Sequence, residues 1–187
     1  MTLSHFNIAL FLENPEAQKT QLALAQSNCK KAADQYLLGK DAWPHVTLCQ
    51  IEVQEEAIKS IWDELSPLLT QGIDLNFHHL YILPGTGEHL GFHWVGLAIA
   101  RDRELIQLQS KMHETLLSKK IESRTTPSSY FPHLTWARCK GEQIQITHCP
   151  DEEIWQKPER FCLSIGRSDN LGIFRERLML SDWKPGS

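Results

Sequence analysis

Two short segments of the chain are near copies of each other, and this duplication constrains the fold more than any other feature. Pro44-His45-Val46-Thr47-Leu48 is matched by Pro132-His133-Leu134-Thr135-Trp136. Each copy opens a predicted strand that follows an earlier strand and a helix. The spacing agrees as well, since 38 positions separate Asn7 from His45 and 39 separate Trp94 from His133. The chain is therefore predicted to contain a repeated strand–helix–strand unit.

The repeat predicts the fold class. Long helices mixed with short strands favour an α+β fold with two pseudo-symmetric lobes, each a small, mainly antiparallel sheet with outer helices, and a groove between them. At about 100–200 residues per domain, a chain of 187 residues forms one domain. Neither half alone would bury enough surface, so we expect a single domain over residues 1–187 with an internal repeat of roughly 5–90 and 91–182.

Hydrophobic periodicity and turn residues place the individual elements. The first helix is predicted to run from Pro15 to near Leu38, where Gly39 supplies a stop. Residues 141–158 are polar and are predicted to be irregular. The remaining helices are predicted from Ile58 to about Gly72 and from Leu105 to near Lys119, and the strands over His5–Leu12, Val46–Val53, Ile73–Leu83, Phe92–Ala100, Leu134–Cys139, Phe161–Ile165 and Ile173–Leu180.

Within each copy, histidine and threonine stand two residues apart on a strand, so their side chains share one face of the sheet. A groove between the lobes would bring together His45, Thr47, His133 and Thr135. Imidazole, with an unperturbed pKa near 6.5, donates or accepts a proton near neutral pH. A threonine hydroxyl donates to an oxyanion. The alternative is that the two histidines merely hydrogen-bond in the core or at the surface.

Composition limits the partners of the protein. Lys and Arg total 19 against 23 Asp and Glu, a formal net charge of -4, so no global positive field holds duplex DNA. The five cysteines lie far apart without a Cys-x-x-Cys pair, which argues against a disulfide framework or a zinc ribbon. The N-terminal apolar run is too short to cross a membrane and lacks the features of a signal peptide. We expect a cytoplasmic monomer without a membrane or DNA-duplex partner.

The other histidines do not form a metal-binding pattern. His78 and His79 alternate faces on a strand, and His89 and His93 straddle Gly91 at a strand entry, where they do not form a helical pair. Gly85-Thr86-Gly87 lacks the rest of a phosphate-binding glycine motif. We therefore expect no metal and no other cofactor.

The paired His-x-Thr-x motifs, His45-Val46-Thr47-Leu48 and His133-Leu134-Thr135-Trp136, resemble those of the two-histidine (2H) phosphoesterase superfamily. This superfamily includes the bacterial RNA 2′,5′-ligase-like proteins and RNA 2′,3′-cyclic phosphodiesterases. The resemblance spans most of the chain. Phe131–Arg138 is close to the usual context of the second motif, whereas Leu48–Glu52 departs from the Phe-Leu-Gly run that usually follows the first.

The resemblance implies a metal-independent phosphodiesterase that acts on a 2′,3′-cyclic phosphate or a 2′,5′ linkage in RNA ends or small nucleotides. His45 and His133 would be the catalytic acid/base pair, and Thr47 and Thr135 would contact the phosphate. The residues leave open which histidine is the acid. The acidic net charge favours a small nucleotide or a single RNA terminus over long RNA.

Three neighbours of the second motif are further candidates for substrate binding. Arg138 stands three positions after Thr135, so on an ideal strand it faces away from His133 unless a bulge intervenes, although the resemblance implies a phosphate contact. Tyr130 and Phe131 either stack on a nucleobase or belong to the core.

Three alternative functions remain open at this point. The first is reversible 2′,5′ ligation of RNA, with a 5′-hydroxyl in place of water. The second is a nonhydrolytic module that binds a nucleotide or an RNA end, and the third is a noncatalytic interaction protein that retains the fold.

Overall fold

The computed structural model describes residues 2–39, 42–141, 144–169 and 172–178. Within these ranges nine strands pair into one sheet, and the neighbouring strands run antiparallel. The α+β class and the mainly antiparallel pairing are therefore confirmed. The strands are β1 (Ser4–Leu12), β2 (Ala33–Leu37), β3 (His45–Val53), β4 (Ile73–Leu75), β5 (Phe77–Pro84), β6 (Phe92–Ile99), β7 (His133–Lys140), β8 (Glu159–Ser168) and β9 (Phe174–Arg177).

The helices pack against one face of this sheet. They are α1 (Pro15–Cys29), α2 (Ile58–Leu65), α3 (Arg103–Ser118) and α4 (Glu152–Gln156). Asn14 is the N-cap of α1. Its side chain accepts a hydrogen bond from the backbone N–H of Glu16 at 3.0 Å. Ala25 of α1 and Met112 of α3 lie in the same buried cluster as Val46 of β3 and Leu134 of β7. Within the described ranges, none of the helices is long and apolar enough to cross a membrane.

The two motif strands meet in the middle of the sheet. The strand order is β4-β8-β1-β3-β7-β6-β5, with β2 paired to β7 and β9 paired to β8. β3 and β7 pair through a single register position, Val46 opposite Leu134. Val46 lies between His45 and Thr47, and Leu134 lies between His133 and Thr135. The pairing of Val46 with Leu134 therefore places the two His-Thr pairs side by side. The division into two lobes with an internal repeat stays a prediction.

The first helix is shorter than predicted. α1 ends at Cys29, and residues 33–37 form β2 on the edge of β7. Gln35 has a φ of 62°, which no helix accommodates. The backbone N–H of Leu38 donates to the carbonyl of Trp136 at 2.7 Å, so pairing with β7 overrides the helical spacing of the apolar residues.

Two other segments also differ from the predictions. The strand predicted over Ile73–Leu83 is two strands at opposite ends of the sheet, since β4 pairs with β8 and β5 pairs with β6. The segment 141–158, predicted to be irregular, contains the short helix α4. The predicted closing strand appears as β9, although Met179 and Leu180 lie outside the described residues, as do Asn170 and Leu171 of the preceding turn.

Candidate active site

Residues of both motifs line one cavity of about 330 Å³. β3 contributes His45 and Thr47, and β7 contributes His133 and Thr135, so the four side chains predicted to share a groove do line one space. The other lining residues are Tyr36, Gln50, Tyr81, Leu83, Pro84, His89, Trp94, Phe131, Gly172 and Ile173.

The two motif histidines are oriented in the same way. Nδ1 of His45 lies 2.6 Å from the carbonyl oxygen of Trp43, and Nδ1 of His133 lies 2.6 Å from that of Phe131. A carbonyl only accepts, so each ring donates from Nδ1, and Nε2 is left to exchange a proton. Each carbonyl belongs to the residue before a proline, a position that favours extended backbone. This arrangement gives the prolines of the duplicated motifs a structural role.

Aromatic side chains hold both imidazoles in place. The His45 ring stacks on Phe11, with centroids 5.9 Å apart and planes at 24°, and it also contacts Phe174 at 5.1 Å. The His133 ring stacks on Phe131 at 5.3 Å and 21°, and it meets Tyr81 edge-on at 5.4 Å. Each ring is therefore fixed both by a hydrogen bond and by packing.

Burial favours the neutral form of both rings. Desolvation lowers the pKa of His45 to about 4, opposed by the hydrogen bond to Trp43 and assisted by the nearby His133. Desolvation also lowers the pKa of His133, against the opposing effect of its hydrogen bond to Phe131. A phosphate anion between the rings would raise both pKa values again, because it stabilises an imidazolium.

Two tyrosines support the second threonine. The hydroxyl of Tyr81 shares a 2.9 Å hydrogen bond with the Thr135 hydroxyl, and the Tyr36 hydroxyl donates to the Thr135 carbonyl at 3.2 Å. Burial raises the pKa of both tyrosines, so they remain protonated donors. Thr135 thus has a fixed orientation toward the cavity.

A β-bulge follows each motif threonine. On β3, Thr47 and Cys49 pair with consecutive residues of β1, and on β7, Thr135 and Ala137 pair with consecutive residues of β6. The extra residue reverses the alternation of the side chains that follow. Positions five after each histidine, Gln50 and Arg138, therefore return to the face that carries the motif.

Gln50 and Arg138 nevertheless have different environments. The Gln50 side chain lines the cavity and packs against Gly172. Arg138 is only 3% exposed and is not among the lining residues. Its Nη2 donates to the Asp34 carboxylate at 2.9 Å, and its Nη1 donates to Nδ1 of His89 at 3.1 Å. The bulge required for Arg138 to face the motif side is present, but His89 stands between the guanidinium and the cavity.

The two aromatic candidates have different positions. Phe131 lines the cavity beside His133. Tyr130 is 2% exposed and belongs to the main core cluster, so its ring has no face free for a nucleobase. Of the two environments weighed from the sequence, Tyr130 is found in the core.

Sequence reasoning missed several lining residues. Tyr36 lies in the segment predicted as helix, and Tyr81 and Trp94 were treated only as strand residues. The sequence pattern around His89 carries no signal of a place in the cavity. In the part of the chain that the structure describes, no three His, Cys, Asp or Glu side chains are grouped so that they could hold a metal ion.

The fold of this chain is similar to the folds of solved phosphoesterase structures. No protein-family model matches the chain, and neither does any curated protein. A solved phosphoesterase structure is similar over 94% of this chain and 95% of its own, with a TM-score of 0.61 and 18% identity. E. coli LigT in its apo form is similar over 95% and 96%, with a TM-score of 0.61 and 19% identity. E. coli LigT complexed with 3′-AMP is similar over 94% and 95%, with a TM-score of 0.62 and 18% identity.

The chain thus has the fold of a phosphoesterase and of E. coli LigT over nearly its whole length. The fold resemblance inferred from the duplicated motifs is confirmed. At these identities the likeness establishes the fold alone.

Proposed function

We propose that the protein is a metal-independent phosphodiesterase that hydrolyses a 2′,3′-cyclic phosphate or a 2′,5′ linkage in RNA ends or small nucleotides. The observation that carries the proposal is the matched pair of imidazoles. Both His45 and His133 line one cavity, and both donate Nδ1–H to a backbone carbonyl. Nε2 is thus the proton-exchanging atom of each ring, as paired acid/base catalysis requires.

In the proposed reaction, Nε2 of one neutral histidine accepts a proton from water as the water oxygen attacks phosphorus. The bond from phosphorus to the ribosyl leaving oxygen breaks, and the second histidine, protonated at Nε2, gives its proton to that oxygen. The hydroxyls of Thr47 and Thr135 donate to the nonbridging oxygens, where negative charge develops. The product is a phosphomonoester, and the like orientation of the two rings allows either histidine to start as the base.

The size of the cavity and the net charge of the chain both favour a short substrate. A cavity of about 330 Å³ lies at the lower end of the roughly 300–1,000 Å³ typical of small-molecule sites. The net charge of -4 disfavours a long phosphate track. One LigT structure with the same fold is a complex with 3′-AMP, which supports a nucleotide as the ligand class. We also propose a monomer in the cytoplasm, a location that suits the five free thiols.

Turnover of a panel of nucleoside 2′,3′-cyclic phosphates and a 2′,5′-linked oligonucleotide tests the proposal. The assay contains excess EDTA and compares the unmodified protein with His45→Ala and His133→Ala. His78→Ala is the matched control, because it removes an exposed imidazole outside the cavity. We expect turnover in the unmodified protein and the control, and a loss of about 10²- to 10⁴-fold in each motif variant, since each lacks the side chain proposed for one of the two proton transfers.

Other outcomes identify the alternatives. Joining of RNA halves that end in a 2′,3′-cyclic phosphate and a 5′-hydroxyl would indicate the reversible ligase. Nucleotide binding without product, weakened by both motif variants, would indicate a binding module. Complete loss of turnover in EDTA would overturn the metal-independent mechanism.

A further inference from the structure

His89 is a third imidazole in the cavity, and its two nitrogens have roles opposite to those of His45 and His133. Its Nδ1 lies 3.1 Å from Nη1 of Arg138. A guanidinium carries N–H donors and no acceptor. Nδ1 of His89 therefore accepts, and the proton of the neutral ring is on Nε2.

The arginine that sets this tautomer is itself fixed. Arg138 donates from Nη2 to the Asp34 carboxylate at 2.9 Å and from Nε to the Asp34 carbonyl at 3.2 Å. The guanidinium carbon also lies 4.3 Å from the centre of the Phe92 ring. With 3% exposure, the guanidinium has no route to another partner without breaking this arrangement.

The surroundings of His89 favour the neutral ring as well as one tautomer. Burial lowers its pKa, and the positive charge of Arg138 lowers it further, against the opposing effects of Glu88 and Asp169. A proton on Nδ1 would also place two donors against each other. The positive charge of Arg138 and the contact of its N–H with Nδ1 thus both favour a neutral ring that donates from Nε2.

The position of His89 is suited to a substrate contact. The residue lies between β5 and β6, and its ring meets Trp94 edge-on at 4.8 Å. Trp94 is the cross-strand partner of Arg138, two register pairs along β7 from the pairing of Gly96 with Thr135. His89 lines the cavity, and within the described ranges no hydrogen bond occupies its Nε2.

We propose that His89 binds the substrate by donating its Nε2–H to a nonbridging oxygen of the phosphoryl group, and that Asp34 and Arg138 act as positioning residues that fix this donor. The inference rests on the proposed function, because it assumes a phosphoryl group beside the two motifs. It also assigns Arg138 an indirect role: the guanidinium orients the imidazole that touches the phosphate.

Steady-state kinetics of three variants tests the contact. His89→Ala removes the donor, His89→Gln keeps an N–H donor near the position of Nε2, and His78→Ala is the control. Loss of one hydrogen bond to a charged oxygen should raise KM by about 10-fold or more. Because the bond forms already in the ground state, we expect the larger change in KM, a smaller decrease in kcat as charge develops on the oxygen, and an unchanged shape of the pH profile. His89→Gln should recover KM to within about 3-fold of the unmodified protein.

Two kinetic results would overturn the proposal. A KM within 2-fold of the unmodified protein for His89→Ala would mean that the ring does not touch the substrate. Loss of one limb of the pH profile would mean that His89 transfers a proton instead of holding a fixed one.

Nitrogen-15 NMR of the histidine rings gives a readout that needs neither turnover nor a folded alanine variant. We expect His89 in the Nε2–H tautomer and His45 and His133 in the Nδ1–H tautomer at pH 7, with His89 assigned by comparison with the His89→Gln spectrum. An Nδ1–H tautomer or an imidazolium at His89 would refute the inference. A protein that shows the expected tautomers and binds adenosine 3′-monophosphate through His89, but turns over no substrate, would refute the hydrolase alone.

Discussion

For the proposed phosphodiesterase reaction, kcat/KM is expected to be highest on the acid side of pH 6.5. Paired-histidine catalysis requires one neutral and one protonated imidazole, so kcat/KM follows the singly protonated form of the free enzyme. Burial lowers the pKa of His45 to about 4 and lowers that of His133 as well. In the bell-shaped plot of kcat/KM against pH, both limbs therefore lie below the ordinary histidine pKa of about 6.5.

The size of the effect follows from these values. With a pKa of about 4, His45 is protonated in about one molecule in a thousand at pH 7. Above the upper limb, kcat/KM falls about 10-fold per pH unit, so we expect a decrease of about 100-fold between pH 6.5 and 8.5. In the substrate complex the phosphate anion raises both pKa values, and the maximum of kcat should therefore lie at higher pH than that of kcat/KM.

The assay is initial-rate hydrolysis of one nucleoside 2′,3′-cyclic phosphate from pH 4 to 9, at constant ionic strength and in EDTA. Circular dichroism at each pH is needed because the same shift affects stability. His45 binds its proton more weakly in the folded state than in the unfolded state. Its contribution to stability is thus complete above pH 6.5 and is lost as the pH falls toward about 4. Only rates measured where the protein is folded define the acid limb.

A kcat/KM that is flat between pH 6 and 8, or that is highest above pH 7, would refute this reasoning. Either profile would mean that the imidazoles are more hydrated in the free enzyme than their burial implies, or that they do not carry the two proton transfers. The variants His45→Ala and His133→Ala separate these explanations. If the two imidazoles do not carry the proton transfers, both variants keep the rate of the unmodified protein; if the imidazoles are only more hydrated, both variants lose activity.

Three further predictions concern the groups around the site. Gly96→Ala should destabilise the fold by about 1–3 kcal/mol, because a Cβ would overlap the backbone oxygen of Leu134. In urea unfolding, Gly39→Ala, whose nearest contact would be 3.7 Å, is the control that should stay near neutral. Tyr81→Phe removes the 2.9 Å hydrogen bond to Thr135 and should lower kcat/KM by about 3- to 10-fold, so unchanged kinetics would exclude support of the threonine. Asn28→Ala leaves the backbone N–H groups of Thr147 and His148 without the acceptor that they contact at 2.9 Å, and should cost about 1 kcal/mol and speed proteolysis after β7.

The central part of the site could be predicted because it depends on local rules alone. A histidine and a threonine two residues apart on a strand share a face whatever surrounds them. The duplication then indicates that two such pairs meet. The single register position between Val46 and Leu134 fulfils that expectation, since it places the middle residues of the motifs opposite each other.

Elements that depend on distant pairing could not be predicted in the same way. The apolar residues of 32–38 recur at helical spacing, yet this segment is an edge strand that completes β7. Tyr36 owes its place in the cavity to that pairing. No local signal separates a buried helical turn from a short strand whose partner is about 100 residues away along the chain.

The bulges explain why the alternation of an ideal strand does not describe Arg138, and they place unlike residues at equivalent positions after the two motifs. One extra residue after each threonine returns positions 50 and 138 to the motif face. At the first position a neutral amide, Gln50, lines the cavity. At the second, a guanidinium neutralised by Asp34 lies beneath His89. A substrate carries different groups on the two sides of its phosphate, so unlike groups at equivalent positions can select one orientation. In the proposed mechanism, the duplicated motifs would supply the proton transfers, and the unlike residues outside them would determine which way the substrate binds.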